Sequence, residues 1–176
     1  MSLDRPARLR RLPALIAALV LASYLASCTD GGTKDACGPI KRERVDPASS
    51  LHLLPGVREP EYLSDPPTSG PHQSGPQLKG ILEETLERPV QVAILERGDV
   101  LIQYRDPQDA GKLETLVKAP VKAAGNGSSV VIAPNPDLSA PIIATAWAIK
   151  QTCEKVDEAT LREFIENHPT VGRPHT

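Results

Sequence analysis

One histidine stands in a segment whose backbone is restricted by its neighbours. His72 ends the stretch PPTSGPH, in which three prolines and one glycine limit the conformations open to the chain. Imidazole titrates near neutral pH and is a common metal ligand, so His72 is a candidate metal ligand or general base. The alternative is structural: a ring hydrogen-bonded to loop backbone, pinning the proline-rich segment to a sheet. The sequence leaves both interpretations open.

Two other histidines and one carboxylate could complete a site with His72. His52 stands in LHLLPG, and His168 follows the last predicted helix, where it could instead offset the helix dipole. Glu96 is a candidate carboxylate, and the alternative is an ion pair with Arg97, whose guanidinium could also bind an anionic ligand. Histidine and carboxylate donors suit transition metals such as zinc or copper.

A serine near His72 invites an enzymatic interpretation that the sequence does not support. Ser69 would need a base and an oxyanion hole on a scaffold such as the strand-turn-helix of G-x-S-x-G, and neither is visible. Thr68 and Ser69 are instead predicted to hydrogen-bond local backbone in a turn. Catalytic residues are unknown from the sequence, which does not decide whether the chain is an enzyme.

Residues 1–27 have the pattern of an export signal. Four arginines precede the apolar run LPALIAALVLASYLA, which is too short and interrupted to span a bilayer. The run ends in LASC, which resembles the lipobox of bacterial lipoproteins and predicts that Cys28 is lipidated as the first mature residue. An ordinary signal peptide and an uncleaved anchor helix are the alternatives. The chain is therefore expected to be exported, anchored by lipid to a bacterial membrane, and to face the periplasm or the cell exterior.

The charge of the remaining chain disfavours a nucleic-acid partner. Residues 28–176 carry 16 Lys and Arg against 21 Asp and Glu, a net charge of −5. Binding to nucleic acid is driven by clustered basic side chains, and no basic stripe interleaved with aromatic residues occurs. The expected partner is the membrane, through the lipid, and any protein or small-molecule partner is unknown.

Once Cys28 is acylated, Cys37 and Cys153 are the two cysteines that remain. In an oxidising compartment they are predicted to form a disulfide. The alternative, a redox dithiol, would favour C-x-x-C spacing or a basic neighbourhood.

Composition divides the chain behind the signal into three parts. Residues 28–50 are predicted to be the lipidated cysteine and a flexible tether, residues 51–170 a single globular domain, and residues 171–176 a tail. The segment 51–79 contains six prolines and three glycines and is expected to be irregular.

Apolar periodicity predicts the elements of the domain. Val90–Leu95 and Val100–Tyr104 are predicted to form a central hairpin around Gly98, followed by a short amphipathic helix between Pro107 and Pro120. Two further strands are expected at Val130–Ala133 and Ile142–Ile149, and a second helix is expected to begin after the capping residue Asp157. The apolar residues of the two helices that are expected to face the core are Leu113, Leu116, Val117, Leu161, Phe164 and Ile165. The prediction is an α+β fold with a small, mainly antiparallel sheet of about four strands, two helices and a long proline-rich irregular N-terminal segment.

Several of these motifs occur in an order that resembles a known family. PPTSGPH, LERG before DVLIQY, then AW, a cysteine and FIENHP are similar to exported bacterial proteins grouped as domain of unknown function 3105. The resemblance runs from about His52 to His168. It implies no activity, because the family is named for having none known.

The chain departs from that family's pattern at the predicted hairpin. Members typically carry H-x-L-E-H-G, which puts Ala93 and Arg97 where two histidines would stand. Replacing imidazole by methyl removes a ligand, and a guanidinium would repel a bound cation. No cofactor is therefore expected and metal binding should be weak, the alternative being a zinc or copper site that uses His72 and His52.

Two functions follow from different classes. The first is a lipid-anchored, non-catalytic binding or scaffolding domain of the cell envelope, whose ligand is unknown. The alternative is a metal-dependent envelope enzyme or metal-binding protein with a degenerate histidine site. The second gains if the ring nitrogens of His52 and His72 lie within about 4 Å of one another beside Glu96 or an aspartate.

Overall fold

The computed structural model describes residues 35–118 and 129–167. The predicted export signal, Cys28 and His168 lie outside these ranges, as do residues 171–176. The strands are β1 (Lys41–Arg42), β2 (His52–Leu53), β3 (His72–Gln73), β4 (Gly80–Ile81), β5 (Val100–Tyr104), β6 (Val130–Pro134), β7 (Ile142–Ala146) and β8 (Ile149–Cys153). The helices are α1 (Arg88–Glu96), α2 (Ala110–Leu113), α3 (Thr115–Lys118) and α4 (Glu158–Asn167), with a 3-10 turn at Pro107–Asp109.

Six strands form one mixed sheet in the order β1-β8-β7-β5-β6-β4. β5 lies inside it, antiparallel to β7 and parallel to β6, and β4 pairs parallel to β6 at one edge. The predicted α+β class is confirmed, but the predicted four-stranded, mainly antiparallel sheet is wrong. β5 and β6 can be parallel because the chain between them includes α2 and α3, and parallel neighbours require such a crossover.

The predicted strand Ile142–Ile149 is in fact two strands, β7 and β8, which meet at a turn. Ala148 occupies the turn with φ of 56°, a left-handed conformation that alanine seldom adopts. Its N–H donates to the Thr68 carbonyl at 3.0 Å, and its own carbonyl accepts from the Glu43 N–H at 2.9 Å. Without a Gly, Asn or Pro at this point, the sequence contains no turn signal.

The first half of the predicted central hairpin is the helix α1, and only its second half is a strand, β5. Pro89 lies in the first turn of the helix, where its missing N–H has no cost. Gly98 has φ of 86° and donates to the Leu95 carbonyl at 2.9 Å, while the Asp99 N–H donates to the Ile94 carbonyl at 3.3 Å. These two bonds form a Schellman motif, so LERG ends a helix and does not turn a hairpin.

The sheet separates two hydrophobic clusters. On one face, α1 packs against alternate residues of β5 and β6 and against the turn after β7; this cluster includes Val92, Ile94, Leu95, Leu101, Val131 and Trp147. The other face packs against α2, α3 and α4; its members include Val100, Ile102, Leu113, Leu116, Leu161, Phe164 and Ile165. The alternation of Val100, Leu101 and Ile102 between the two clusters follows from the two-residue period of a strand.

Of the two predicted helices on this second face, the first is broken into short pieces and the second is one regular helix. The segment after Pro107 is a 3-10 turn followed by α2 and α3, with Leu113 and Leu116 buried as predicted. Its successor α4 is confirmed: the Thr160 N–H donates to Asp157 Oδ1 at 3.0 Å. No helix within 35–118 and 129–167 has the length and apolar composition needed to cross a membrane.

Residues 35–50, predicted as part of a flexible tether, are fastened to the sheet. The predicted disulfide between Cys37 and Cys153 is present, and the two residues also form an isolated antiparallel bridge. β1 then pairs with β8 as an edge strand. Residues from Asp35 onwards belong to the same compact unit as the sheet.

Candidate metal centre

The segment PPTSGPH is buried along its whole length, from Pro66 to His72. The Thr68 hydroxyl donates to Glu43 Oε2 at 2.8 Å, and the Ser69 hydroxyl accepts the Asp46 N–H at 2.9 Å. The prediction that these hydroxyls bond local backbone is therefore wrong, because their partners lie more than 20 residues upstream. Ser69 thus holds the loop to the N-terminal segment, and the partner of its hydroxyl in this contact is a backbone N–H, not a general base.

Gly70 lets the loop pass beneath an aromatic ring. Its φ is 133°, and a Cβ built at this position would lie 2.9 Å from the ring of Tyr62. The Tyr62 hydroxyl in turn donates to the Pro71 carbonyl at 2.8 Å. Burial raises the Tyr62 pKa to about 12, so the hydroxyl keeps its proton and remains a donor. A glycine is required here by the backbone conformation and by the close ring.

A partly buried ion pair fixes the same loop through Thr68. Lys150 Nζ lies 3.2 Å from Glu43 Oε1, while Glu43 Oε2 accepts from Thr68 and Ser64. Burial alone would raise the pKa of Glu43, but the two hydroxyl donors and the charge of Lys150 bring it below its ordinary value. Burial lowers the pKa of Lys150, against the opposing charge of Glu43. This pair explains how a lysine that is 8% exposed remains in the sheet.

His72 is the most enclosed of the candidate ligands, with 1% of its surface exposed. Its N–H donates to the Leu51 carbonyl at 3.1 Å, and its ring Nδ1 lies 3.1 Å from the Gly70 carbonyl. A carbonyl only accepts hydrogen bonds, so the contact with Gly70 assigns a proton to Nδ1. The other ring nitrogen, Nε2, is thereby directed to Glu96.

The imidazole of His72 closely approaches the carboxylate of Glu96. His72 Nε2 lies 2.9 Å from Glu96 Oε2, and the Glu96 side chain is 12% exposed. With a proton on Nδ1, a neutral ring presents a lone pair at Nε2, which would face the lone pairs of the carboxylate. Nε2 has no aligned hydrogen-bond partner in the described part of the chain. A second proton on the ring, or a cation bound between Nε2 and Oε2, would remove the repulsion between their lone pairs.

His52 lies beside this pair because of strand pairing. β2 and β3 form a two-stranded parallel sheet in which His52 is the register partner of His72. The two ring centroids are 4.7 Å apart with planes inclined by 67°, and His52 is exposed. One ligand atom from each of His52, His72 and Glu96 lies within 4.8 Å of the other two.

The positions of the two missing histidines are adjacent to this cluster along α1. Ala93 is buried one helical turn before Glu96, and Arg97 follows Glu96 directly. Arg97 Nε lies 3.7 Å from Asp99 Oδ2. Asp99 Oδ1 accepts the Ser129 N–H at 2.7 Å. The negative charge of Asp99 beside the guanidinium offsets part of its repulsion of a cation at Glu96.

All three clustered residues were candidates from the sequence, but His52 and His72 lie in short strands and Glu96 lies in a helix, not in the predicted irregular segment and hairpin. The structure brings His52, His72 and Glu96 together, whereas His168 lies outside the described residues. The positioning roles of Tyr62 and Gly70 were missed, and the glycine between Ser69 and Pro71 was the one available signal.

The fold and site define a class: an α+β domain that carries a three-residue candidate metal centre between a short parallel ladder and a helix. The family described as "Protein of unknown function (DUF3105)" matches residues 57–175, about two thirds of the chain. The chain belongs to this family, as its motifs indicated. His72 and Glu96 lie within the matched region, and His52 lies just before it. Searches of curated proteins and of solved structures each found no match.

Proposed function

We propose that this chain is a lipid-anchored domain of the bacterial cell envelope that binds a divalent transition metal through His52, His72 and Glu96. The observation that carries the proposal is the 2.9 Å contact between His72 Nε2 and Glu96 Oε2, in which an imidazole protonated only at Nδ1 would present a lone pair to the carboxylate. A metal ion bound by both would remove this conflict. The proposal of a lipid anchor rests on the LASC motif at Cys28.

The surroundings of His72 match those of known metal-binding histidines. A ligating imidazole nearly always donates its other ring N–H to a carbonyl or carboxylate, which fixes the tautomer and orients the ring. The Gly70 carbonyl meets this requirement at 3.1 Å. His72 would therefore be pre-oriented as a ligand, while the exposed His52 would move into place on binding.

Two imidazoles and a carboxylate are a ligand set that zinc accepts with one further position open to water or another small ligand. Copper also binds imidazole strongly, so the two metals are the first to test. Three protein ligands are enough to bind a metal ion. We assign no catalytic role to any residue beside the site. The domain would then be a non-catalytic binding protein whose ligand is the metal.

The experiment is a titration of the purified chain with zinc and with copper, followed by isothermal calorimetry and elemental analysis. We expect one equivalent to bind, His72→Ala to abolish binding, and Glu96→Gln and His52→Ala to weaken it. His175→Ala is the matched control, because it removes one histidine near the C-terminus and leaves the three proposed ligands in place.

A native chain that retains no metal after titration would contradict the proposal. In that case the first sequence-based hypothesis, a binding or scaffolding domain without a metal, would replace it. The sequence-based prediction of weak binding is tested by the same titration, since the calorimetric affinity measures it directly.

A further inference from the structure

A second concave surface lies at the other end of α1 from the candidate metal centre. It has a volume of about 330 Å³ and is lined by residues of the proline-rich segment, the start of α1 and the chain after β6. Such a volume is in the range of small-ligand sites. Its charged and amide-bearing lining residues include Glu59, Asp65, Glu87, Arg88, Gln91 and Asp137.

Gln91 contributes an acceptor that has no donor. The side chain is 2% exposed, and its Nε2 donates to the Leu86 carbonyl at 2.8 Å. This bond fixes the amide orientation, because a carbonyl can only accept. Gln91 Oε1 then has no hydrogen-bond partner among residues 35–118 and 129–167. Buried polar atoms in native proteins are nearly always paired, with other protein groups, ordered water or a bound molecule, so this oxygen is available to a donor that enters the cavity.

The charges around Gln91 also favour a donor. Arg88 is the cation of the lining, and it is already engaged: its Nε forms an ion pair with Glu59, and its NH1 lies 4.0 Å from Asp65. Glu87 and Asp137 form no ion pair within the described part of the chain. Four carboxylates against one guanidinium leave a negative surface, and the half positive charge at the start of α1 offsets only part of it.

We infer that this cavity binds a small organic cation that carries a primary ammonium group. An ammonium offers three donors and a positive charge, which complements Gln91 Oε1 and the carboxylates of Glu87 and Asp137 together. An anion would be repelled, and an apolar molecule would leave Gln91 Oε1 without a donor. The carboxylates are not clustered as metal ligands, since the one such cluster in the described residues is that of His52, His72 and Glu96.

The probe is 1,4-diaminobutane, titrated into the full chain and followed by calorimetry. Its neutral and anionic counterparts of similar length are 1,4-butanediol and succinate. We expect the diamine to bind at least about tenfold more tightly than the diol, and succinate not to bind.

Two variants test the residues that carry the inference. Gln91→Met removes the unpaired oxygen and keeps an unbranched side chain of similar length, and Asp137→Asn removes one charge from an exposed residue. Each should weaken diamine binding by about fivefold or more. Glu84→Gln is the matched control, because Glu84 is an exposed carboxylate outside the lining of this cavity.

Several outcomes would overturn the inference. They are the absence of diamine binding at millimolar concentration, equal binding of the diol, or equal losses in Glu84→Gln and Asp137→Asn. Gln91→Met could affect folding, but Asp137→Asn lies on the surface and tests the same site separately. Because the cavity shares no residue with the metal centre, His72→Ala should leave diamine binding unchanged.

Discussion

His72 Nε2 and Glu96 Oε2 lie 2.9 Å apart, although one belongs to a two-residue strand and the other to the last turn of a helix. The contact exists because β3 packs beside α1, while the Gly70 carbonyl orients the imidazole. The family pattern indicates that histidine ligands are missing at Ala93 and Arg97, on either side of Glu96. In the structure, His72 and Glu96 are still close enough to share a ligand.

Restoring the missing histidines should strengthen metal binding. Ala93 and Glu96 are one turn apart on α1, and Arg97 follows, so Ala93→His with Arg97→His would add imidazoles next to the present carboxylate. We expect the double variant to bind zinc on the order of 100-fold more tightly than the native chain, because a closed four-ligand shell becomes available. Calorimetry in competition with a chelator measures the change.

Ala93 is buried, so its replacement could disturb packing, and Arg97→His alone is therefore measured as well. Arg58→His is the control, since it adds a histidine at an exposed position that is not part of the three-residue cluster. If Arg58→His raised the affinity as much as the double variant, the gain would not come from the cluster.

Gly70→Ala should lower both the stability and the metal affinity. A Cβ at this position would lie 2.9 Å from the Tyr62 ring, and the φ of 133° disfavours any residue with a side chain. We expect a loss of about 1 to 3 kcal/mol in the free energy of unfolding, measured by urea titration. The affinity should fall with it, because the Gly70 carbonyl orients His72.

Gly75→Ala provides the comparison, because nothing lies within 4 Å of a Cβ built there and its backbone does not need glycine. The two variants add the same methyl group at neighbouring positions of one loop. Equal stabilities for Gly70→Ala and Gly75→Ala would contradict the role given to Tyr62.

The parts of the fold that the sequence predicted are those with a local signal. α4 has a capping aspartate and a clear apolar face, and β5 and β6 are dense in β-branched residues. The disulfide followed from an even number of remaining cysteines. By contrast, Val90–Leu95 is a continuous apolar run, which fits a buried helix or a strand equally well by periodicity. The proline before it and the glycine after it were the signals for a helix.

Long-range contacts could not be predicted from local patterns. The pairing of His52 with His72 depends on a strand of two residues, too short to have any periodicity. The same holds for the turn at Ala148, whose left-handed conformation is held by backbone bonds to Thr68 and Glu43. These contacts assemble the candidate site, and they join residues that are distant in the chain.

Loss of the lipidated cysteine should release the protein from the membrane. Cys28→Ala removes the residue that the LASC motif marks for acylation, and several acyl chains on one cysteine give anchoring that is effectively permanent. We expect the variant to leave the membrane fraction on cell fractionation, while a Thr33→Ala control stays in it. Retention of Cys28→Ala in the membrane fraction would refute the lipobox prediction.

Reduction of the disulfide should destabilise the domain strongly. Cys37 and Cys153 are separated by 116 residues, and closing a loop of that size contributes about 4 to 5 kcal/mol in the chain-entropy model, as an upper figure. Non-reducing mass spectrometry of the exported protein should show the bridge, and Cys37→Ser should lower the midpoint of urea unfolding. Two free thiols in the exported protein would contradict this prediction.

Breaking the pair of Glu43 and Lys150 should destabilise the domain in a pH-dependent way. Glu43→Gln leaves Lys150, which is 8% exposed, without its countercharge, and we expect a loss of about 2 to 4 kcal/mol at neutral pH. The pKa of Glu43 is lowered by folding, so its contribution is present above the ordinary value of 4.5 and disappears as the pH falls through the folded value. The stabilities of the native chain and of Glu43→Gln should therefore converge as the pH falls below the lowered folded pKa of Glu43.

The double variant Glu43→Gln with Lys150→Met separates this pair from its surroundings. It removes both charges, so it should be more stable than Glu43→Gln, in which one buried charge remains unpaired. The pKa of Lys150 is itself lowered by burial, which means that raising the pH towards the pKa of a free lysine should recover part of the stability lost in Glu43→Gln. Urea titrations of the native chain, Glu43→Gln and the double variant across this pH range measure both effects. If Glu43→Gln lost equal stability at every pH, the hydrogen bonds from Ser64 and Thr68, and not the charge pair, would account for the role of Glu43.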